Sequence, residues 1–156
     1  IEFPFFDSND CYKEICTVSI MRAGNAFENP IKEMLPEYSF GKILIQTNKE
    51  TSEPEFHYLK LPHNIKDCHV LLFDPTISSG ASALMAIRIL IDHNVNEEDI
   101  IMITILLTPI GVQSILNAFP KVKIVTAALD DQINDYYHII PGLGNFGKLM
   151  NIYYQV

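Results

Sequence analysis

Near the middle of the chain the sequence reads Val70-Leu71-Leu72-Phe73-Asp74-Pro75-Thr76-Ile77-Ser78-Ser79-Gly80-Ala81-Ser82. Four apolar residues are followed at once by a carboxylate, and then by a loop of small hydroxylated residues and a glycine. Helical spacing begins directly afterwards, with one apolar stripe made of Ala83, Ala86, Ile87, Leu90 and Ile91. The order predicts a strand over 70–73, a tight loop, and a helix over 82–93 that ends at a left-handed Asn94.

Similar apolar runs lie on both sides of this unit. They predict strands over 17–20, 43–46, 101–107 and 124–129, and helical spacing recurs over 26–35 and 111–119, with Pro109 in the first turn of the last helix. The runs are continuous rather than alternating, which is typical of parallel strands covered on both faces. The sequence therefore predicts an α/β domain with a doubly wound, mainly parallel sheet.

Two segments do not fit that pattern. Residues 47–62 are polar, contain Pro54 and then alternate apolar and polar residues, so we interpret them as a projecting flap or hairpin. The glycine-rich loop 141–147 matches the spacing of a dinucleotide-binding turn, but too few residues follow it for the helix and strand which that motif needs. We find no linker or repeat and expect one domain.

Composition limits the class of partner. The 156 residues carry 11 Lys and Arg against 19 Asp and Glu, a net charge of −8, which argues against a nucleic-acid polymer. A small anionic ligand fits, because backbone N–H groups or one arginine create a local positive pocket. No apolar run is long enough to span a membrane, we see no signal peptide, and the odd cysteine count without a Cys-x-x-Cys pair predicts reduced thiols in the cytoplasm.

Polar residues follow three of the predicted strands. Met21-Arg22-Ala23-Gly24 follows the first, the Asp74 loop follows the third, and Asp130 follows the last. The carboxyl ends of parallel strands meet at one edge of a sheet, so we expect these groups to converge there. Arg22 would hold a pyrophosphate bidentately, with a solvated strand-end charge as the alternative, and Asp130 would orient a ligand.

The loop after Asp74 suits a sugar phosphate. Its backbone N–H groups and the positive end of the following helix attract a phosphate, Ser78, Ser79 and Ser82 add hydroxyl donors, and Gly80 lets the ligand come close. Asp74 would accept hydrogen bonds from the vicinal hydroxyls of a ribose. The alternative is a tight turn in which a serine caps the helix. No Lys follows Gly80, which excludes a Walker-type loop.

In order and spacing, these segments resemble the uracil phosphoribosyltransferases from residue 18 to residue 147. The markers are Val18-Ser19-Ile20-Met21-Arg22-Ala23-Gly24, Gly41-Lys42-Ile43-Leu44-Ile45-Gln46, Glu50-Thr51-Ser52-Glu53-Pro54, residues 58–62, the Asp74-Pro75 loop, Val125-Thr126-Ala127-Ala128-Leu129-Asp130, and Ile139-Ile140-Pro141-Gly142-Leu143-Gly144. Gln46-Thr47-Asn48 and Gly144-Asn145-Phe146-Gly147 are most similar to the eukaryotic branch, which includes the domain that follows a uridine kinase in some fused proteins.

The resemblance implies a type I phosphoribosyltransferase fold. Residues 1–156 would form one domain that lacks the family's N-terminal arm, with a hood or flap over 47–62 and a uracil loop over 139–147. The implied reaction joins uracil to phosphoribosyl pyrophosphate, giving UMP and pyrophosphate in pyrimidine salvage. Mg²⁺ would be carried by the pyrophosphate, with no metal held by the protein. The implied assembly is a cytoplasmic homodimer or higher homo-oligomer, with GTP as an effector, as in some relatives.

The resemblance also implies residue roles. Arg22 and Asp74 would be catalytic. The residues that would bind the donor phosphoribosyl pyrophosphate are Arg22, Asp74, Pro75, Thr76, Ile77, Ser78, Ser79, Gly80, Ala81, Ser82 and Asn145. The uracil edge would be read by Ile139, Gly144, Asn145 and Phe146.

Some positions depart from the family pattern. Thr47 stands where many active enzymes carry Arg, Asn145 replaces an Asp associated with donor binding, and Lys148-Leu149-Met150 replaces the usual ending. These changes leave two alternatives open. One is a catalytically weak or inactive phosphoribosyl-binding domain, in a uridine kinase fusion for example; the other is a transferase of the same fold that uses a different base.

Overall fold

The computed structural model describes residues 13–48, 50–144 and 146. Its strands are β1 Glu14–Met21, β2 Ser39–Thr47, β3 Pro54–Lys60, β4 Cys68–Phe73, β5 Thr76–Ile77, β6 Ile100–Leu107, β7 Lys123–Leu129, β8 Gln132–Ile133 and β9 Ile139–Ile140. Its α-helices are α1 Glu28–Met34, α2 Ala81–Asp92 and α3 Pro109–Ala118. Short 3-10 segments cover Ala23–Phe27, Ile65–Asp67 and Glu97–Asp99.

Seven of the strands form one sheet. The strand order runs β3-β2-β1-β4-β6, and both β5 and β7 also pair with β6. Every pair is parallel except the antiparallel pair of β2 and β3. β4 lies at the centre and all six of its residues are buried. Full burial on both faces explains why this strand reads as a continuous apolar run. The predicted mainly parallel sheet is confirmed.

The two faces of β4 pack against different helices. Val70 and Leu72 belong to the larger core, together with buried side chains of α2 and α3 such as Ile87 and Ile115. Leu71 and Phe73 point to the opposite face, where Phe27 packs with its ring centroid 5.1 Å from that of Phe73. Since α1 also covers this second face through Ile31, the predicted doubly wound arrangement is confirmed.

The helix predictions are close to the observed bounds. α2 is displaced by one residue from the predicted 82–93, and Asn94 has φ 65°, the left-handed conformation expected after a helix. Pro109 lies in the first turn of α3, as predicted. The predicted helix over 26–35 is shorter, because a 3-10 segment precedes α1. Pro30 lacks an N–H group and is accommodated in the first turn of an α-helix, which sets the start of α1 at Glu28.

The flap prediction is also confirmed. β2 and β3 form an antiparallel hairpin that pairs Thr47 with Pro54 at its tip, with a register shift between Leu44 and Ile45. β3 has no partner on its outer side in the sheet that the structure describes. Within the same residues, no helix has the length and apolar character required to cross a bilayer.

Candidate functional site

A cleft of about 920 Å³ opens beyond the carboxyl ends of the parallel strands. Three segments form its walls. The flap supplies Thr47, Asn48, Ser52, Glu53 and Pro54; the central loop and first turn of α2 supply Asp74 and residues 76–83; and the turn between β8 and β9 supplies Asp135, Tyr136, Tyr137 and His138. The structure therefore brings the predicted sugar-phosphate loop and the predicted flap to one cavity.

The loop on this cleft ends at a helix whose N-cap residue is a glycine. Gly80 is the N-cap residue of α2, with φ 85°, and no side chain caps the helix from that position. The backbone N–H of Ala81 has only a long contact, 3.4 Å, to the Ser79 hydroxyl. The first N–H groups of a helix lack partners within it, so those of α2 remain available to an anion in the cleft. The serine-capped turn stays an alternative, because the Ser79 hydroxyl accepts from this first helical N–H.

Asp74 lies on the cleft wall immediately after β4 and is half-buried. Burial raises the pKa of its carboxyl from 3.8 to about 7, and a hydrogen bond from the backbone N–H of Thr76 opposes part of that rise. The carboxylate that forms around neutral pH accepts hydrogen bonds only, which suits a pair of vicinal hydroxyls.

The segment after β1 packs against the end of β4. Gly24 is buried, and a Cβ at that position would stand 2.6 Å from the carbonyl oxygen of Phe73, so a larger residue would push the two segments apart. The peptide between Met21 and Arg22 is cis. Arg22 itself is exposed, and it is not among the residues on the cleft wall. Its predicted contact with pyrophosphate stays a prediction.

The segment predicted to bind uracil begins with β9 and continues into the glycine-rich loop. Asp130 Oδ2 accepts a hydrogen bond of 2.9 Å from the backbone N–H of Gly142. Gly142 has φ 60° and lies tightly against the carbonyl of Ile139, which leaves no space for a side chain. Asp130 thus holds the loop in place, and the ligand-orienting role predicted for it stays a prediction.

The residues predicted to read uracil are placed as follows. Ile139 and Phe146 are half-buried and Gly144 is exposed, with φ 69°. None of the three lines the cleft, whereas the neighbouring His138 does. Asn145, predicted for both donor and uracil, lies outside the described residues, as do Gly147 and Lys148-Leu149-Met150.

Sequence reasoning missed one wall of the cleft. The cavity is also lined by Asp135, Tyr136, Tyr137 and His138, none of which was predicted as a site residue. Tyr136 is 80% exposed, and two adjacent tyrosines in a polar segment next to the glycine-rich loop were the available signal. Across the part of the chain that is described, no three His, Cys, Asp or Glu side chains cluster to hold a metal ion.

The family profile described as uracil phosphoribosyltransferase matches residues 6–150 of the chain. The chain belongs to the uracil phosphoribosyltransferase family. It is 50% identical over 139 residues to uridine-cytidine kinase-like 1 of Mus musculus, an alignment that covers 88% of this chain and 25% of that protein. It is 42% identical over 135 residues to uracil phosphoribosyltransferase 1 of Schizosaccharomyces pombe, covering 86% of this chain and 62% of that one. The chain thus spans a quarter of the first relative and less than two thirds of the second.

Solved structures show the same fold. The AQ2163 protein from Aquifex aeolicus superposes with a TM-score of 0.80 at 31% identity, over 87% of this chain and 64% of that one. APRTase from Giardia lamblia complexed with 9-deazaadenine superposes with a TM-score of 0.57 at 15% identity, over 80% and 74%. The second likeness concerns the fold alone. The predicted type I phosphoribosyltransferase fold is confirmed.

Proposed function

We propose that this protein is a uracil phosphoribosyltransferase that joins uracil to phosphoribosyl pyrophosphate, forming UMP and pyrophosphate for pyrimidine salvage. The observation that supports the proposal is the cleft itself, in which Asp74 and the amino end of α2 share one wall beneath the flap. Membership of the family supports the same reaction.

The proposed donor position follows from the chemistry of that wall. The 5′-phosphate binds the loop from Ser78 to Ser82, where backbone N–H groups, serine hydroxyls and the helix dipole all favour negative charge. The ribose hydroxyls donate to Asp74. Both groups line the same cleft, and the remaining donor residues of the predicted set contribute main-chain contacts.

The charge of the cleft makes Mg²⁺ part of the proposed substrate. The described lining contains the carboxylates Glu53, Asp74 and Asp135 and no Lys or Arg. Free phosphoribosyl pyrophosphate is a polyanion and would be repelled, whereas its Mg²⁺ complex brings a compensating charge that also stabilises the departing pyrophosphate. The side chains of Glu53 and Asp135 end in carboxylate oxygens, the type of ligand that Mg²⁺ prefers.

The proposed chemistry is positioning and charge stabilisation. The anomeric carbon becomes cation-like as pyrophosphate leaves, and Arg22 stabilises the negative charge that builds up on that group. The main chain around Ile139, Gly144 and Phe146 presents the uracil edge. The hairpin of β2 and β3 closes over the cleft and excludes water, which would otherwise compete with uracil.

The main test of this proposal is a direct assay of the purified protein with labelled uracil, phosphoribosyl pyrophosphate and Mg²⁺. UMP and pyrophosphate are expected in equal amounts. Donor binding without UMP would instead identify a phosphoribosyl-binding domain, and a different base giving product would identify a transferase with another specificity. If the protein does not bind the donor at all, the proposed function is wrong.

Two variants test the roles proposed for Asp74 and Arg22. Asp74→Asn should weaken donor binding by about 1–3 kcal/mol, because it loses hydrogen bonds to a charged acceptor; Asp92→Asn, at the far end of α2 and exposed, is the control. Arg22→Ala should lower kcat more than it lowers thermal stability, since the side chain is exposed. A large loss of stability with normal turnover would make Arg22 structural.

The remaining expectations rest on the family resemblance. A cytoplasmic homodimer or larger homo-oligomer, and activation by GTP, stay predictions. Sedimentation of the pure protein and assay with added GTP test them.

A further inference from the structure

Thr108 joins two parts of the molecule that are distant in sequence. It lies between β6 and α3 and is completely buried. Its hydroxyl donates a hydrogen bond of 2.6 Å to the carbonyl oxygen of Ser78 and accepts one of 3.0 Å from the backbone N–H of Gly111. Its own backbone N–H donates to the carbonyl oxygen of Ile77 at 3.1 Å. One residue therefore caps α3 and holds two successive carbonyls of the loop.

Close packing leaves these carbonyls no other position. A Cβ on Gly111 would stand 2.7 Å from the Ser78 carbonyl oxygen, and one on Gly80 would stand 3.3 Å from the Gly111 carbonyl oxygen. The loop thus lies directly on the first turn of α3. Both anchored carbonyls point toward buried Thr108, into the protein rather than into the cleft.

The direction of these carbonyls determines the direction of the neighbouring N–H groups. In a trans peptide the C=O and N–H groups point in opposite directions, and neither peptide here is cis. Anchoring the Ile77 and Ser78 carbonyls inward therefore turns the N–H groups of Ser78 and Ser79 outward, and both residues line the cleft. Two successive N–H groups directed to one side form a concave anion site.

We propose that Thr108 is a positioning residue for phosphate recognition, which fixes two peptide groups so that the N–H groups of Ser78 and Ser79 face the donor's phosphate. The ligand part of this inference rests on the proposed function; the anchoring of the loop does not. Thr108 touches no substrate and acts only through the loop.

The test compares Thr108→Val, which keeps the shape and loses the hydroxyl, with Thr108→Ser, which keeps the hydroxyl. Thr126→Val is the matched control, because the Thr126 hydroxyl bonds to the carbonyls of Ala128 on β7 and Ile105 on β6 rather than to the loop. Two readouts are taken at a temperature where all variants are folded: affinity for ribose 5-phosphate by calorimetry, and amide hydrogen exchange of residues 75–82 in the ligand-free protein.

Thr108→Val should weaken ribose 5-phosphate binding by about three- to tenfold, the equivalent of one neutral hydrogen bond, and should speed exchange over residues 75–82. Thr108→Ser should restore both readouts, and Thr126→Val should change neither. If Thr108→Val does not fold, Gly111→Ala replaces it, since its Cβ displaces the Ser78 carbonyl while the Thr108 hydroxyl remains.

A lower melting temperature with unchanged exchange and unchanged affinity would reduce Thr108 to a helix cap and overturn the proposal. The failure of the proposed function looks different. In that case the wild-type protein forms no UMP and binds no ribose 5-phosphate, and the exchange of residues 75–82 alone decides whether Thr108 anchors the loop.

Discussion

The carboxylates of Asp74 and Asp130 lie at the same edge of the sheet but differ in their surroundings. Asp74 is half-buried at the end of a fully buried strand, and burial raises its carboxyl pKa to about 7. Asp130 accepts a hydrogen bond from the loop after β9. One carboxylate is therefore available to a ligand and the other is used to hold the chain, although both follow strands at the same edge of the sheet.

The raised pKa of Asp74 predicts a specific dependence of stability on pH. Between about pH 4 and about pH 7 the unfolded chain has lost the proton that the folded protein keeps, so the free energy of unfolding falls as pH rises through this window. Asp74→Asn removes the titration and should flatten that fall, making the variant the more stable protein above pH 7. Urea denaturation of both proteins at several pH values measures the difference, in which all other titrating groups cancel. A constant difference across the window would contradict the prediction.

Asp130 should affect uracil without affecting the donor. Asp130→Ala removes the acceptor for the Gly142 N–H, a charge-assisted hydrogen bond of about 1.5–3 kcal/mol, and should raise KM for uracil while donor affinity stays unchanged. Asp130→Asn keeps an acceptor oxygen and should recover most of the loss, and exposed Asp131→Ala is the control. An equal loss of donor and uracil binding would mean that Asp130 supports the whole cleft.

At the level of elements, the flap depends on one asparagine at the end of β2. Asn48 Oδ1 accepts hydrogen bonds from the backbone N–H groups of Glu50 and Thr51, at 2.7 and 3.2 Å. Its own backbone bonds to Ser52 and Glu53, at 2.9 and 2.8 Å. Side-chain acceptors of this kind substitute for ladder bonds in a turn. Asn48 therefore shapes the wall that faces the phosphate loop.

Asn48→Ala should loosen the flap with a small cost in overall stability, about 1 kcal/mol, because exposed hydrogen bonds of a turn are lost. Hydrogen exchange over residues 47–55 should speed up, and more phosphoribosyl pyrophosphate should be hydrolysed for each UMP formed. Asn48→Asp keeps the Oδ1 acceptor but loses the 2.7 Å hydrogen bond from Asn48 Nδ2 to Glu55 and places two carboxylates together, so it should recover only part of the loss. If the ratio of donor hydrolysed to UMP formed does not change, the flap does not exclude water from the cleft.

Across the whole molecule, the two ends of the sheet have different tasks. The cleft lies at the carboxyl ends of the strands. At the amino ends, Asp99 is 3% exposed and accepts hydrogen bonds from Lys13 at 2.5 Å and Asn96 at 2.9 Å, while His69 Nδ1 lies 3.1 Å from it. These contacts join the segment before β1, the start of β4 and the turn before β6.

Asp99→Ala should destabilise the fold without weakening donor binding. Its loss removes the acceptor of Lys13 and Asn96 and the carboxylate beside buried His69, and we expect about 3 kcal/mol, the low end for breaking a buried pair because Lys13 is one-third exposed. Asp92→Ala, exposed on α2, is the control for stability. Denaturation in urea and calorimetry with the donor are the two measurements. A change in donor affinity with little loss of stability would contradict the prediction that Asp99 stabilises the fold without serving the cleft.

Much of the architecture was predictable because it depends on local pattern. Continuous apolar runs indicated the parallel strands, the stripe from Ala83 to Leu90 indicated α2 within one residue, and Pro54 with the following alternation indicated the hairpin. Element ends were less accurate where the chain changes from one helix type to another, as in the segment before Pro30. The loop after Asp74 lies on the cleft, as its place after a strand and before a helix predicted, and its phosphate binding stays a prediction.

By itself, the sequence determined which segments become strands and helices, which loop suits a phosphate, and the family to which the chain belongs. Tertiary structure alone decided that Asp135 to His138 face that loop, that Asp130 holds Gly142, and that Thr108 anchors Ser78 from 30 positions away. The physical reason is the range of the forces involved. Hydrophobic periodicity acts over a few neighbouring residues, whereas a hydrogen bond between remote segments exists only after the sheet has brought them together.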